Sequence, residues 1–368
     1  GHPMRQSVPE VVGVKRLDHL PLVGAVLRYL EVKDTIDQLL PADPRHEVTA
    51  GEGVEALVLM ILTGEHALYR VSETLAGYDL EVIFQRPIAA EHFHDTRLGH
   101  VLDALWEVGL DRVYGAVISH AIHKYALDLS RLHSDTTSLK VYGAYEREEE
   151  EEGPLVTFGF SKDHRPDLKQ LLFGLTVTAD GSVPVWGHVS DGNRSDSEEH
   201  RFHITQLRQY LPDLTHPLLG ADSKFFAGQT LLLAQEERLS FVTLVPQTVG
   251  LQRTLVEEME LEAMPVLLER PGRRSGTVEV SRGRSVLRTY QAQTARGEPQ
   301  ELLLRFLVVE STQLAKHNGP KLAAAIQAER ARLSELTAEW ERREFACEAM
   351  PSRPWPRSFS RRGGATIG

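Results

Sequence analysis

Leu171-Leu172-Phe173-Gly174-Leu175-Thr176-Val177-Thr178-Ala179-Asp180-Gly181-Ser182-Val183-Pro184-Val185-Trp186-Gly187-His188-Val189 is the stretch on which the fold turns. Two β-rich runs, Leu171 to Thr178 and Val183 to Val189, flank Ala179-Asp180-Gly181-Ser182. An Asp-Gly pair between such runs signals a hairpin, because glycine accepts the positive φ of a tight turn. Upstream, Leu129 to Val141 carries alternating and β-branched residues around Asp135-Thr136-Thr137 and reads as a strand. Downstream, Ser195 to Leu211 reads as a helix, Pro217 to Asp222 as a short apolar strand ending in an acid, Ala227 to Leu239 as a helix and Phe241 to Val245 as a strand. Antiparallel strands followed by alternating helix and strand make a mixed sheet with helices packed on it, the order of an RNase H-like core.

Toward the amino terminus the period changes. Leu98, Val101, Leu102 and Leu105 form a helical apolar stripe, with Asp95 expected as its cap and Gly109 as its stop. Val113, Ala116, Val117 and His120 continue the period, and Val54 to Leu62 is a further apolar run between a capping Thr49 and a terminating Gly64. The expected class is therefore α/β: an all-helical N-terminal domain over 10–126, an RNase H-like mixed-sheet core over 127–249 and a β-rich insertion over 250–312. Within the insertion, Gly276 to Val280, Val286 to Ala292 and Leu302 to Val309 are the expected strands. A helix is expected within 313–350, with Lys321 to Arg343 as its polar run, and 351–368, rich in Pro, Arg and Gly, is expected to be disordered.

Composition narrows the class. No apolar run approaches the ~20 residues that span a bilayer, and no signal-peptide core follows Gly1-His2-Pro3-Met4-Arg5, so a cytoplasmic protein without membrane partners is expected. The single Cys347, beside acids in Glu-Phe-Ala-Cys-Glu, can form neither an internal disulfide nor a multi-cysteine zinc site. A net charge of -11 counts against nucleic-acid binding on average. The charge is uneven, however: Glu146 and Glu148 to Glu152 form an acidic block, whereas Arg253, Arg270, Arg273, Arg274, Arg282, Arg284, Arg288 and Arg296 enrich a later stretch.

Asp135 and Asp222 are the first chemical candidates. Each sits within or at the end of an apolar strand, where a carboxylate is costly unless it is hydrogen-bonded or metal-bound. If the first and fourth strands are neighbours, the two converge on one edge and could hold a pair of Mg²⁺ ions ~3.5 to 4 Å apart. The alternative is that both simply cap turns at strand ends. His200 and His203, three apart on a helix, have a metal-binding spacing but read as a surface pair without a third ligand nearby.

The context of the acids carries a resemblance. Leu132-His133-Ser134-Asp135-Thr136-Thr137, Ser161-Lys162-Asp163-His164-Arg165-Pro166-Asp167-Leu168-Lys169-Gln170, Gly192-Asn193-Arg194-Ser195-Asp196 and Ala221-Asp222-Ser223-Lys224 occur in that order. With Phe158-Gly159-Phe160 ahead of the second motif, the chain resembles, over roughly residues 15 to 348, bacterial DDE transposases of the insertion-sequence-four group, in the branch with a helical N-terminal domain. The resemblance implies that Asp135 and Asp222 are the first two acids of a catalytic triad holding Mg²⁺ or Mn²⁺. It also implies that the partners are element-end and target DNA, with a homodimer as an option. Lys162, His164, Arg165 and Lys169 would neutralise DNA phosphates, or form a solvated charged turn. Asn193 and Arg194 would contact DNA or cap the helix that follows.

The third acid of such enzymes is a Glu on a helix after the insertion, within a Tyr-Arg-Glu-type signature. That signature is not found here; Glu310, Glu344 and Glu348 are the nearest substitutes. The tail from Pro351 reads like out-of-frame coding, so the expectation is a truncated copy with impaired or no catalysis. The alternatives are a non-catalytic remnant that binds DNA or an intact transposase, and an unrelated RNase H-like nuclease.

Overall fold

The computed structural model describes residues 13–40, 43–65, 67–147, 153–159, 165, 167–210, 216–259, 263–272 and 276–341. Seven helices come first: α1 (Leu20–Tyr29), α2 (Val32–Leu39), α3 (Ala50–Thr63), α4 (Val71–Leu75), α5 (Leu80–Phe84), α6 (Asp95–Val108) and α7 (Leu110–Tyr125). Their apolar faces close a core built on Leu20, Ile36, Leu59, Met60, Leu75, Ile83, Phe93 and Leu98. Local signals set the helix ends. Thr49 and Glu52 form a reciprocal capping box at the start of α3, and Gly64 ends that helix in the left-handed conformation. At α6 the expected cap is corrected: His94 is the N-cap, its Nδ1 accepting from the Arg97 N–H at 3.2 Å, and Asp95 is the first helical residue. An imidazole nitrogen with a lone pair serves the orphan N–H as an Asp oxygen would.

The sheet follows as β1 (Arg131–Val141), β2 (Lys169–Thr178), β3 (Pro184–Asp191), α8 (Asp196–Tyr210), β4 (Leu218–Ala221), α9 (Gly228–Glu236) and β5 (Ser240–Val242). Strand order is β3-β2-β1-β4-β5. β1, β2 and β3 are antiparallel, whereas β1–β4 and β4–β5 are parallel. This is the mixed topology of an RNase H-like core behind an all-helical region. The β2–β3 hairpin turns where the Asp-Gly pair stands, Gly181 at φ +69°.

Further on come α10 (Gly250–Glu257), β6 (Val266–Pro271), β7 (Val278–Gln293), β8 (Pro299–Ser311) and α11 (Thr312–Glu341). Three expectations change here. The start of the expected β-rich insertion is helical, β6 is an additional strand, and the two short strands expected over 276–292 are one continuous β7. β7 stays extended through its polar centre because β6 and β8 pair along it from opposite sides.

Two units result: Gly1–Asp222 with Leu233–Val242, and Ser223–Leu232 with Thr243–Gly368. In the second, Phe226 packs on Tyr290 and Phe306 of the antiparallel β6-β7-β8 sheet, with Ala292 and Leu302 buried beside them. Among the described residues no helix is long and apolar enough to cross a membrane. Cys347, Glu148 to Glu152 and the 351–368 tail lie outside the described residues.

Candidate functional site

β1 and β4 run parallel with Leu132 opposite Leu219, His133 opposite Gly220 and Ser134 opposite Ala221. The next residue on each chain is an acid: Asp135 within β1, and Asp222 just past the end of β4. Neighbouring strands lie ~4.8 Å apart, so the register brings these two residues side by side. Alternation along β1 buries Leu132 and Ser134 and leaves His133 and Asp135 exposed on the other face. A Cβ at Gly220 would stand 2.8 Å from His133 Nδ1, so the missing side chain makes room for that ring.

The side chain of Asp222 is 41% exposed and Asp135 is exposed as well. The expected desolvation cost of a strand carboxylate is therefore small at both. A strand buries only alternate residues, and Asp222 stands beyond the ladder. Asp135 Oδ1 accepts from the Thr136 N–H at 2.8 Å.

α8 supplies what the sequence reading missed. Ser195 caps it: the Glu198 N–H reaches Ser195 Oγ at 3.3 Å and the Ser195 N–H reaches Glu198 Oε2 at 3.0 Å. The helix then turns Glu199, His200, His203, Ile204 and Leu207 inward, all buried. The surface pair expected of His200 and His203 is thus corrected; both imidazoles are interior because other elements satisfy their nitrogens. His200 Nε2 meets Asp222 Oδ1 at 3.0 Å. His203 Nε2 bonds Thr176 Oγ1 on β2, and its Nδ1 faces His188 Nδ1 of β3 at 3.3 Å. His188 Nε2 bonds Glu199 Oε1, which also accepts from Ser190 Oγ at 2.9 Å.

Burial, together with nearby His188 and His200, pushes the His203 imidazole down to about 3, so it is neutral at physiological pH. Burial pushes the Glu199 carboxyl up, but His188, Ser190 and Arg194 overcome it and hold Glu199 below its ordinary value.

The phosphate-contact candidates fall into different settings. Arg165 pairs with Asp167 at 2.7 Å. Lys169 Nζ donates to the carbonyls of Ala144 and Tyr145. Arg194 is half-buried: it reaches Ser190 Oγ at 3.1 Å and Glu199 Oε2 at 3.6 Å, and lies 4.7 Å from the Phe202 ring centre. Asn193 is exposed, while Ser195 rather than Asn193 caps α8. Lys162 and His164 lie outside the described residues.

The glycines flanking these motifs hold segments together. The Gly192 N–H bonds Leu155 O at 3.0 Å, Gln170 Nε2 bonds Gly192 O at 2.8 Å, and a Cβ on Gly192 would fall 1.9 Å from Gln170 O. Of the third-acid candidates, Glu310 lies on β8 opposite Arg282, and Glu344 and Glu348 lie outside the described residues. Among the described residues no three His, Cys, Asp or Glu side chains come together to hold a metal ion. What these residues offer a cation is one solvent-accessible carboxylate on β1 and another just past β4, hard oxygen donors of the type that Mg²⁺ and Mn²⁺ take together with water or phosphate oxygens.

A family model described as a domain of unknown function (DUF4277) matches residues 12–119, the helical region. None of the curated proteins matches the chain. Among solved structures, the piggyBac transposase synaptic complex with hairpin DNA is similar at 12% identity and a TM-score of 0.32, covering 77% of this chain and 60% of that one. The Mos1 transposase paired-end complex with left transposon end is similar at 9% identity and a TM-score of 0.22, covering 54% and 60%. The Mos1 mariner paired-end complex with Mn is similar at 8% identity and a TM-score of 0.22, covering 60% and 67%. The chain thus spans 60% of the length of the first two proteins.

Proposed function

We propose that this chain is a DNA-acting protein of the DDE transposase type, in the insertion-sequence-four branch with a helical N-terminal domain. On this reading Asp135 and Asp222 hold Mg²⁺ or Mn²⁺ beside DNA phosphates. The observation that carries the reading is the parallel β1–β4 register, which makes neighbours of two acids quoted from separate motifs. When bound, a divalent metal pair activates the attacking oxygen and stabilises the leaving one. The chain's own contribution is to present two carboxylates from neighbouring central strands of the sheet to a phosphodiester. Element-end and target DNA are the proposed partners, and a second copy of the chain the proposed assembly.

The two-acid geometry also sets the expected level of activity. Affinity for hard cations rises with carboxylate number, so a site made of Asp135 and Asp222 alone, the two acids brought together among the described residues, would hold metal weakly and impair strand cleavage. DNA binding needs no metal and survives. The test incubates the purified chain with DNA from the ends of its own element and Mn²⁺, measuring binding and nicking separately. Salt-sensitive binding without nicking above background is expected. Nicking that Asp135→Ala abolishes would overturn the impaired-catalysis reading and direct the search for a third acid to Glu310, Glu344 and Glu348. Tight Mn²⁺ binding that survives both Asp135→Ala and Asp222→Ala would place the metal site elsewhere.

A further inference from the structure

We propose that His200 is a positioning residue for Asp222, fixing the orientation of the carboxylate through its 3.0 Å Nε2–Oδ1 contact. The inference rests on the reading of Asp222 as a metal ligand. An aspartate 41% exposed at the end of a strand has several staggered side-chain conformations open to it. A hard cation needs one of them. The imidazole that meets Asp222 is only 5% exposed, so its position is set by the interior rather than by solvent.

The interior holds that position firmly. His200 is flanked on α8 by Glu199, bound to His188 and Ser190 of β3, and followed by His203, bound to Thr176 of β2. These anchors on two strands oppose rotation of the helix about its axis, and so they place the His200 ring at the end of β4. Direct metal ligation by the same nitrogen is the weaker alternative: Nε2 is engaged with the carboxylate, and no three-ligand group occurs among the described residues. Hydrogen-bond partners of metal ligands typically govern ~10- to 100-fold in metal affinity.

The test is Mn²⁺ titration of the full chain followed by electron paramagnetic resonance of the free ion, with the fold of each variant checked by circular dichroism. His200→Ala and His200→Asn should lower Mn²⁺ affinity by roughly 10- to 100-fold. His200→Gln should retain most of the affinity, because its amide nitrogen reaches where Nε2 stood and that of Asn does not. If His200→Ala and His200→Asn bind like the wild type while Asp222→Ala does not bind, the positioning role is overturned and the metal reading stands. A folded His200→Gln that loses as much affinity as His200→Ala overturns it too, because the ring and not its donor would then matter. If Asp135→Ala and Asp222→Ala both bind like the wild type, or the wild type binds no Mn²⁺, the assignment of the two acids falls and the positioning role falls with it.

Discussion

Replacing Glu55 by Gln should stabilise the helical region above neutral pH. Glu55 lies on α3, 6% exposed in the core, and its Oε1 has no hydrogen-bond partner. Burial pushes its carboxyl up from 4.5 to about 7, against the pull of Arg28 and Lys33 and with a further push from Glu52 and Asp34. The folded chain therefore holds this proton more tightly than the unfolded chain does. The stability tied to that proton is fully present below 4.5 and is lost as pH rises through about 7. At roughly 1.4 kcal/mol per pH unit, the gap between the two values corresponds to about 3 kcal/mol, of which about 2 to 3 kcal/mol falls between pH 5 and pH 8. Gln keeps the shape and carries no charge, so it escapes this loss.

The assay is amide hydrogen exchange of the intact chain, read by mass spectrometry on peptides covering Ala50–Thr63 and corrected for intrinsic rates. Wild-type opening free energy should fall by about 2 to 3 kcal/mol from pH 5 to pH 8, whereas Glu55→Gln should stay level and exceed the wild type at pH 8. Equal wild-type protection at the two pH values, or a Gln variant less protected at pH 8, would refute the argument that burial dominates at this carboxyl.

Two further outcomes follow from the core around α8. Gly192→Ala places a Cβ 1.9 Å from Gln170 O and 2.7 Å from Thr157 O, both backbone atoms that cannot swing aside, so a loss of about 3 kcal/mol or more is expected in urea unfolding. Glu199→Ala strips His188 and Ser190 of their acceptor and leaves Arg194 without its carboxylate, and the loss expected for breaking such a buried pair is about 3 to 5 kcal/mol. A near-neutral melting shift in that variant would mean that water replaces the carboxylate.

Much of the fold was legible because its signals are local. A capping box, a terminating Gly64 and the Asp-Gly turn at 180–181 act within a few residues, so their periods and punctuation appear in the sequence itself. Asp135 and Asp222 could be picked out as a pair from their motifs, and the order of elements anticipated the pairing of β1 with β4. The extent of β7 and the existence of β6 were not legible, since both depend on partners across the sheet rather than on alternation within each run.

The histidines show the limit most clearly. By composition α8 is a polar helix, and its inward side is marked by Ile204 and Leu207, which share a face with His200 and His203. What makes that side habitable for polar groups is Thr176, His188 and Ser190 on two other strands, because a buried imidazole or carboxylate is tolerated only where other groups complete its hydrogen bonds. The same tertiary pairing drew Arg194 toward Glu199, a setting its place in the Gly-Asn-Arg-Ser-Asp motif could not reveal. Sequence alone determined the helices and most strands and singled out the two acids as candidates; the packing of α8 on the sheet decided that His200 meets Asp222, since partners 22 residues apart in the chain meet only in three dimensions.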